Sequence, residues 1–166
     1  AAGRRTTLIE VAREVYRDPA FEPAEAAARL LQGMRERGAT AKQSAEEALE
    51  GRELPAREAE QHARRAQRGA ERDELLAGLE ELAAWYRDLV VVAAGAEHAV
   101  IHFDRLADLA EDGTRERMLG AERASEEVRR AWRELEEFNL NPGLALEALF
   151  VRLRRELAGP ASAVTG

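Results

Sequence analysis

The residues that could carry chemistry are few and poorly placed for it. His98 and His102 stand four apart with Glu97 and Asp104 nearby, a spacing that on a helix would put two imidazoles on one face, as zinc sites require. The residues between them are Ala, Val and Ile, and no HExxH-type glutamate accompanies the pair, so no metal is expected. There is no cysteine, which removes thiolate nucleophiles, thiolate zinc sites and disulfides, and fits a reducing cytoplasm. Ser44 and Ser125 lie in Ala/Glu-rich sequence without the glycine-rich elbow that presents a serine nucleophile. With 32 Asp and Glu in the chain, carboxylate pairs arise by chance and single out nothing. No G-x-x-x-x-G-K-S/T loop is present to cradle a phosphate. The chain is therefore expected to have no catalytic, cofactor or metal site.

Two arginine clusters could meet phosphates: Arg57, Arg64, Arg65, Arg68 and Arg72 along one helical strip, and Arg152, Arg154 and Arg155 near the carboxyl end. Glu58, Glu60, Glu71 and Glu74 interleave the first, neither has an aromatic companion, and the formal net charge is −7. Solvated, ion-paired faces are the expectation, with no direct nucleic-acid binding. Arg87-Asp88 differs in kind, because opposite charges sit inside an apolar run between Tyr86 and Leu89. Buried charges are rarely left unpaired, so either they bond helix ends or loops within the protein or they contact another subunit. Trp85 and Trp132 divide the same way, between core and interface anchor.

Ala, Leu, Glu and Arg dominate, and 34% of residues are charged against 5% aromatic, a composition that favours helices and predicts an all-α helical bundle. At 166 residues the chain fits one assembly domain. Residues 1–38 read as a helical pair. Its first helix runs from Thr6 to Tyr16, capped by Thr6 or Thr7, and its second starts at Pro23 and stops near Gly38, with Ala27, Leu30, Leu31 and Met34 inward. Residues 39–74 form a polar, charged helical segment or arm, broken at Gly51 and restarted by Pro55, with only Leu49 and Leu54 as large aliphatics. Residues 75–158 form the main bundle. A helical period runs through Leu75, Leu79, Leu82, Tyr86 and Leu89, and Val90–Val92 make its last turn before Gly95. A loop follows over Glu97–Phe103, then a helix from about Asp104 to Glu111 with Leu106 and Leu109 inward. A further helix after Thr114 carries Met118, Leu119, Val128, Trp132 and Leu135. Residues 159–166 read as a disordered tail. The longest apolar run, Leu89–Ala94, falls far short of the roughly 20 residues of a membrane span, so a soluble protein with no membrane contact is expected.

The bundle closes on a hairpin. Asn139 suits a left-handed helix stop, Asn141 precedes proline and can cap the next helix, and Pro142 suits its first position. Leu146, Leu149, Phe150, Leu153 and Leu157 then share one face.

This stretch, LEEFNLNPGLALEALFVRL over residues 135–153, resembles the closing signature of the clamp-loader subunits of bacterial DNA polymerase III. Upstream, LAAWYRDLVVVAAG over residues 82–95 resembles the Trp-Leu-Arg-Asp-like helix of the delta-prime subunit, with the gamma/tau subunit as the close competitor. The likeness spans roughly residues 71–157, and the polar 40–74 segment departs from the family pattern. The resemblance implies an oligomerisation (collar) domain whose partners are the collar domains of gamma/tau and delta, in a cytoplasmic complex that loads the sliding clamp during replication. It also implies that a nucleotide-binding domain and a lid precede Ala1, where the chain opens without methionine. Residues Trp85, Tyr86, Arg87, Asp88, Trp132, Asn139, Asn141, Pro142, Leu146 and Phe150 are the candidate motif or interface positions. The alternative is a free-standing all-helical adaptor or regulatory protein-interaction domain.

Overall fold

Large apolar residues recurring every three or four positions across 75–89 produce the buried stripe of a single long helix, α3 (Ala56–Ala93): Leu75, Leu79, Leu82, Trp85, Tyr86 and Leu89. The structure is a computed structural model that describes residues 2–158. Five further helices are arranged around α3: α1 (Ala2–Arg17), α2 (Pro23–Leu49), α4 (Leu106–Asp112), α5 (Met118–Phe138) and α6 (Pro142–Leu157). Single 3-10 turns cover Glu97–Ala99 and Phe103–Arg105, and no strand occurs among the described residues. The protein is an all-α bundle, as its composition predicts. The tail at 159–166 lies outside the described residues.

α3 packs against α1, α2, α4 and α5, and α6 lies across α5, α2 and α1. One apolar core results. Leu8, Ile9, Val11, Ala12 and Val15 of α1 are buried, as are Ala121, Ala124, Val128 and Ala131 of α5, and Leu146, Leu149, Phe150, Leu153 and Leu157 of α6. Phe21, in the α1–α2 connection, tilts against Phe150 with ring centroids 6.0 Å apart. At the same end of α1, Arg154 Nη1 donates to the carbonyls of Val15 (2.6 Å) and Asp18 (3.0 Å), satisfying at Val15 an acceptor that a helix end leaves open.

Several boundaries differ from the sequence expectation. α1 begins at Ala2, so Thr6 and Thr7 are internal, and their hydroxyls donate back to Ala2 O and Gly3 O instead of capping. The added turn is held from outside by Arg4–Glu74 (3.1 Å) and Arg5–Asp104 (2.7 Å) ion pairs. α2 does not stop near Gly38 but runs to Leu49. Gly38 is buried, and a Cβ there would collide with the Glu71 side chain of α3, so the glycine serves close helix packing. The divisions at 38/39 and 74/75 consequently fall inside α2 and α3. The polar segment is the outer half of an antiparallel α2–α3 hairpin, turning at Gly51 (φ +79°) and restarting after Pro55 as the sequence indicates. Leu106, expected inward, is 40% exposed, while Leu109 is fully buried; Leu119 of α5 is 55% exposed.

Candidate functional site

The ten candidate residues do not form one site. Asn139, Asn141 and Pro142 make the α5–α6 reversal: Asn139 is left-handed (φ 47°, ψ 47°), Asn141 Oδ1 accepts from the Leu144 N–H at 3.1 Å, and Pro142 opens α6. Leu146 and Phe150 are core residues. Trp85 and Tyr86 are also fully buried. Trp85 Nε1 donates to Tyr16 Oη (3.0 Å), and Tyr86 Oη donates to Ala12 O (3.0 Å), so each polar tip is satisfied within the core.

Asp88 is completely buried and is the hub of a polar clamp. Its carboxylate accepts from the backbone N–H of Ile101 (3.0 Å) and of His102 (2.8 Å), and it lies 2.7 Å from His102 Nδ1. The other ring nitrogen, His102 Nε2, lies 2.5 Å from Glu81 Oε1. A carboxylate on each side of the imidazole is the arrangement an imidazolium satisfies, since both its nitrogens donate. Burial opposes charge on His102, but the bonds to Asp88 and Glu81 outweigh it and raise its pKa above the ordinary imidazole value. Burial likewise opposes ionisation of Asp88, and the bonds from His102 and from the two N–H groups hold its carboxyl below the usual carboxylate range. Arg87 Nη1 adds bonds to Asp88 Oδ1 (3.0 Å) and Ala99 O (3.3 Å). The Arg87-Asp88 pair thus ties the 97–102 loop to α3, the first of the two alternatives its sequence context left open. His98 is exposed and points to no partnership with His102, whose nitrogens are both engaged.

A second buried acid, Asp112 at the end of α4, has the same logic. It accepts from Arg13 Nε (2.7 Å), Tyr16 Oη (2.5 Å) and Arg17 Nη1 (2.7 Å). Burial raises its pKa in isolation, and these donors bring it below the usual range. Burial and the Asp112 bond push the Tyr16 hydroxyl pKa up, and Arg117 lies over the Tyr16 ring at 4.3 Å. The sequence marks Arg87-Asp88 as needing partners but names neither those partners nor the Asp112 clamp. Glu81, Trp85 and Asp88, at steps of four and three, share one helical stripe, a further forewarning of the first clamp.

Trp132 is the aromatic candidate that remains at the surface. It is half-buried, with Arg72 over its ring at 5.7 Å, and it separates two grooves. One, of about 540 Å³, runs between α3 and α5; the other, of about 520 Å³, runs beside the hairpin tip over Met34, Leu75 and Leu140. Of the arginine clusters, Arg64 pairs with Glu60, Arg72 with Glu136, and Arg152 with Glu127. Ser125 Oγ donates to Ala83 O (3.3 Å). Among the described residues no group of three or more His, Asp or Glu is arranged to hold a metal, and no helix is long and apolar enough to cross a membrane.

No protein-family model, curated protein or solved structure matches the chain.

Proposed function

We propose that this chain is an assembly domain without chemistry of its own, the collar of a delta-prime-like clamp-loader subunit of DNA polymerase III. It would join the collar domains of gamma/tau and delta in the cytoplasmic complex that loads the sliding clamp. The observation that carries this reading is that the two stretches of resemblance, residues 82–95 and 135–153, both feed the same apolar core. They contribute Leu82, Trp85, Leu89, Leu146, Leu149 and Leu153 to one core. Large apolar side chains stand out from that core in solvent: Phe103 is 75% exposed, and Phe138 and Leu144 at the hairpin tip are 61% and 70% exposed. Isolated exposed apolar residues are ordinary, but two of these sit together at one reversal, where a partner surface could cover them.

The test is size-exclusion chromatography of the chain with gamma/tau and delta collar domains from the same organism at low and moderate salt. Co-elution that survives moderate salt is expected, because exposed charge pairs contribute little to such contacts. Absence of co-elution at both salts, with every domain folded, overturns the clamp-loader reading.

A further inference from the structure

We propose that the α3/α5 groove is a docking site for an acidic amphipathic helix of a partner protein. The proposal rests on the chain being an assembly domain and adds the place and chemistry of one contact. The floor of the groove is apolar, made by Leu76, Leu79, Ala83, Val128 and the half-buried Trp132, and Ile101, 52% exposed, closes one end. Its rim carries Arg87, Arg129 and Arg133 against the single acid Glu80. This balance runs opposite to the chain as a whole, whose net charge is −7. A cationic rim on an acidic protein selects a partner with carboxylates beside its apolar contacts and repels another acidic face lacking the matching register.

The rim charges are available. Arg129 is held only by Glu126, one turn away on the same exposed helix face (2.6 Å), a pairing of a kind that contributes little and can be exchanged for a partner's carboxylate. Arg133 makes no ion pair among the described residues. Arg87 is anchored by Asp88 and Ala99 O, so it presents its charge without having to be ordered on binding. Trp132, flanked by Arg72 on its far side, supplies the rigid aromatic anchor that dominates interface energetics. The groove follows α3 from Leu76 to Arg87, about 16 Å at 1.5 Å per residue, which matches three turns of a third helix laid along two others. No sheet edge exists there for a strand to join. Three arginines with one aromatic are too few to track a phosphate backbone against the overall negative charge.

The probe is a synthetic helical peptide of about four turns, leucine on one face and glutamate on its flanks, compared with a twin carrying lysine in place of glutamate. Calorimetry on the intact chain should give at least tenfold tighter binding of the acidic peptide. The exposed double change R129E/R133E should abolish or invert that preference, with circular dichroism unchanged. Tryptophan emission should shift on binding in the wild-type chain and not in Trp132→Phe, where only the core Trp85 reports. Equal affinity for the twins, a preference untouched by the double change, or displacement of the peptide by duplex DNA overturns the proposal. So does a dimer of the chain that R129E/R133E dissolves, since a second copy is then the occupant. Peptide preference without co-elution with the collar domains removes the clamp-loader reading and keeps the groove. Co-elution that persists in R129E/R133E, with the wild-type chain binding both peptides equally, removes the groove and keeps the clamp-loader reading.

Discussion

Between Gly38 and Arg68 the α2–α3 hairpin buries only Gly38, Ala45 and Ala63, whereas from Leu75 to Leu89 the same α3 buries six large apolar residues together with Asp88. The backbone does not register the change, since both helices run through it without a break. Helix propensity explains the continuity: Ala, Glu, Arg and Gln are strong formers, and pairs such as Gln43–Glu47 and Arg64–Glu60 add a few tenths of a kcal/mol each. Burial explains the difference. A buried methyl group stabilises by about 0.8 kcal/mol and a buried Leu or Phe by about 1.5–3, against an ordering cost of about 1–2 kcal/mol per backbone residue. Secondary structure can therefore be uniform along a helix whose tertiary support is concentrated at one end.

The contrast can be broken most decisively at Trp85. Trp85→Ala removes the largest fully buried side chain and the indole N–H that donates to the Tyr16 hydroxyl, and should cost about 3–5 kcal/mol in urea unfolding. A loss under about 1 kcal/mol would mean the core is not where α3 places it. Asp112→Ala should cost about 3 kcal/mol, at the low end for a broken buried pair because Arg13 and Arg17 reach water. Its readout is the unfolding midpoint of α1 followed by hydrogen exchange.

The His102 clamp gives a pH dependence of smaller size. His102 has a folded pKa above its unfolded value of about 6.5, so its contribution is complete below that pH and is lost as pH rises through the folded value. Asp88 and Asp112 have depressed pKa values, so their contributions are present above about 4 and are lost as pH falls through the folded values. Stability should decline on both sides of a maximum between these limits. His102→Gln should flatten the upper limb and also weaken the lower one, because His102 helps hold the Asp88 carboxyl down, and an unchanged upper limb in that variant would show that the imidazole is not the charged partner.

Trp132→Ala should cost about 1–2 kcal/mol, less than Trp85→Ala because half of its surface already meets water. A cost equal to that of Trp85 would make it a core residue and remove it as an anchor. At the outer hairpin, Gly51→Ala should cost about 1 kcal/mol through its positive φ, and only locally. Hydrogen exchange should show residues 40–68 opening well before 75–89 in the wild type, with Gly51→Ala widening the gap; equal protection in both spans would mean the outer hairpin has support beyond Gly38, Ala45 and Ala63.

The sequence by itself determined what depends on neighbours within about four residues. The 3.6-residue period fixed the stripes of α1, α3, α5 and α6, and Asn139, Asn141 and Pro142 fixed the hairpin turn. Gly51 and Pro55 fixed the break in the polar segment. The burial of Asp88 between Tyr86 and Leu89 demanded hydrogen-bond partners, though not which ones. Tertiary structure decided the partners, because His102 comes from a segment without periodicity and Arg13, Tyr16 and Arg17 lie more than ninety residues from Asp112. It decided that Gly38 continues a helix, since the close passage of Glu71 outweighs a local breaker. It decided that Leu106 and Leu119 face water and that Trp132 stays half-covered, because a periodic stripe defines a helix's apolar face while the crossing of neighbouring helices defines how much of that face is hidden.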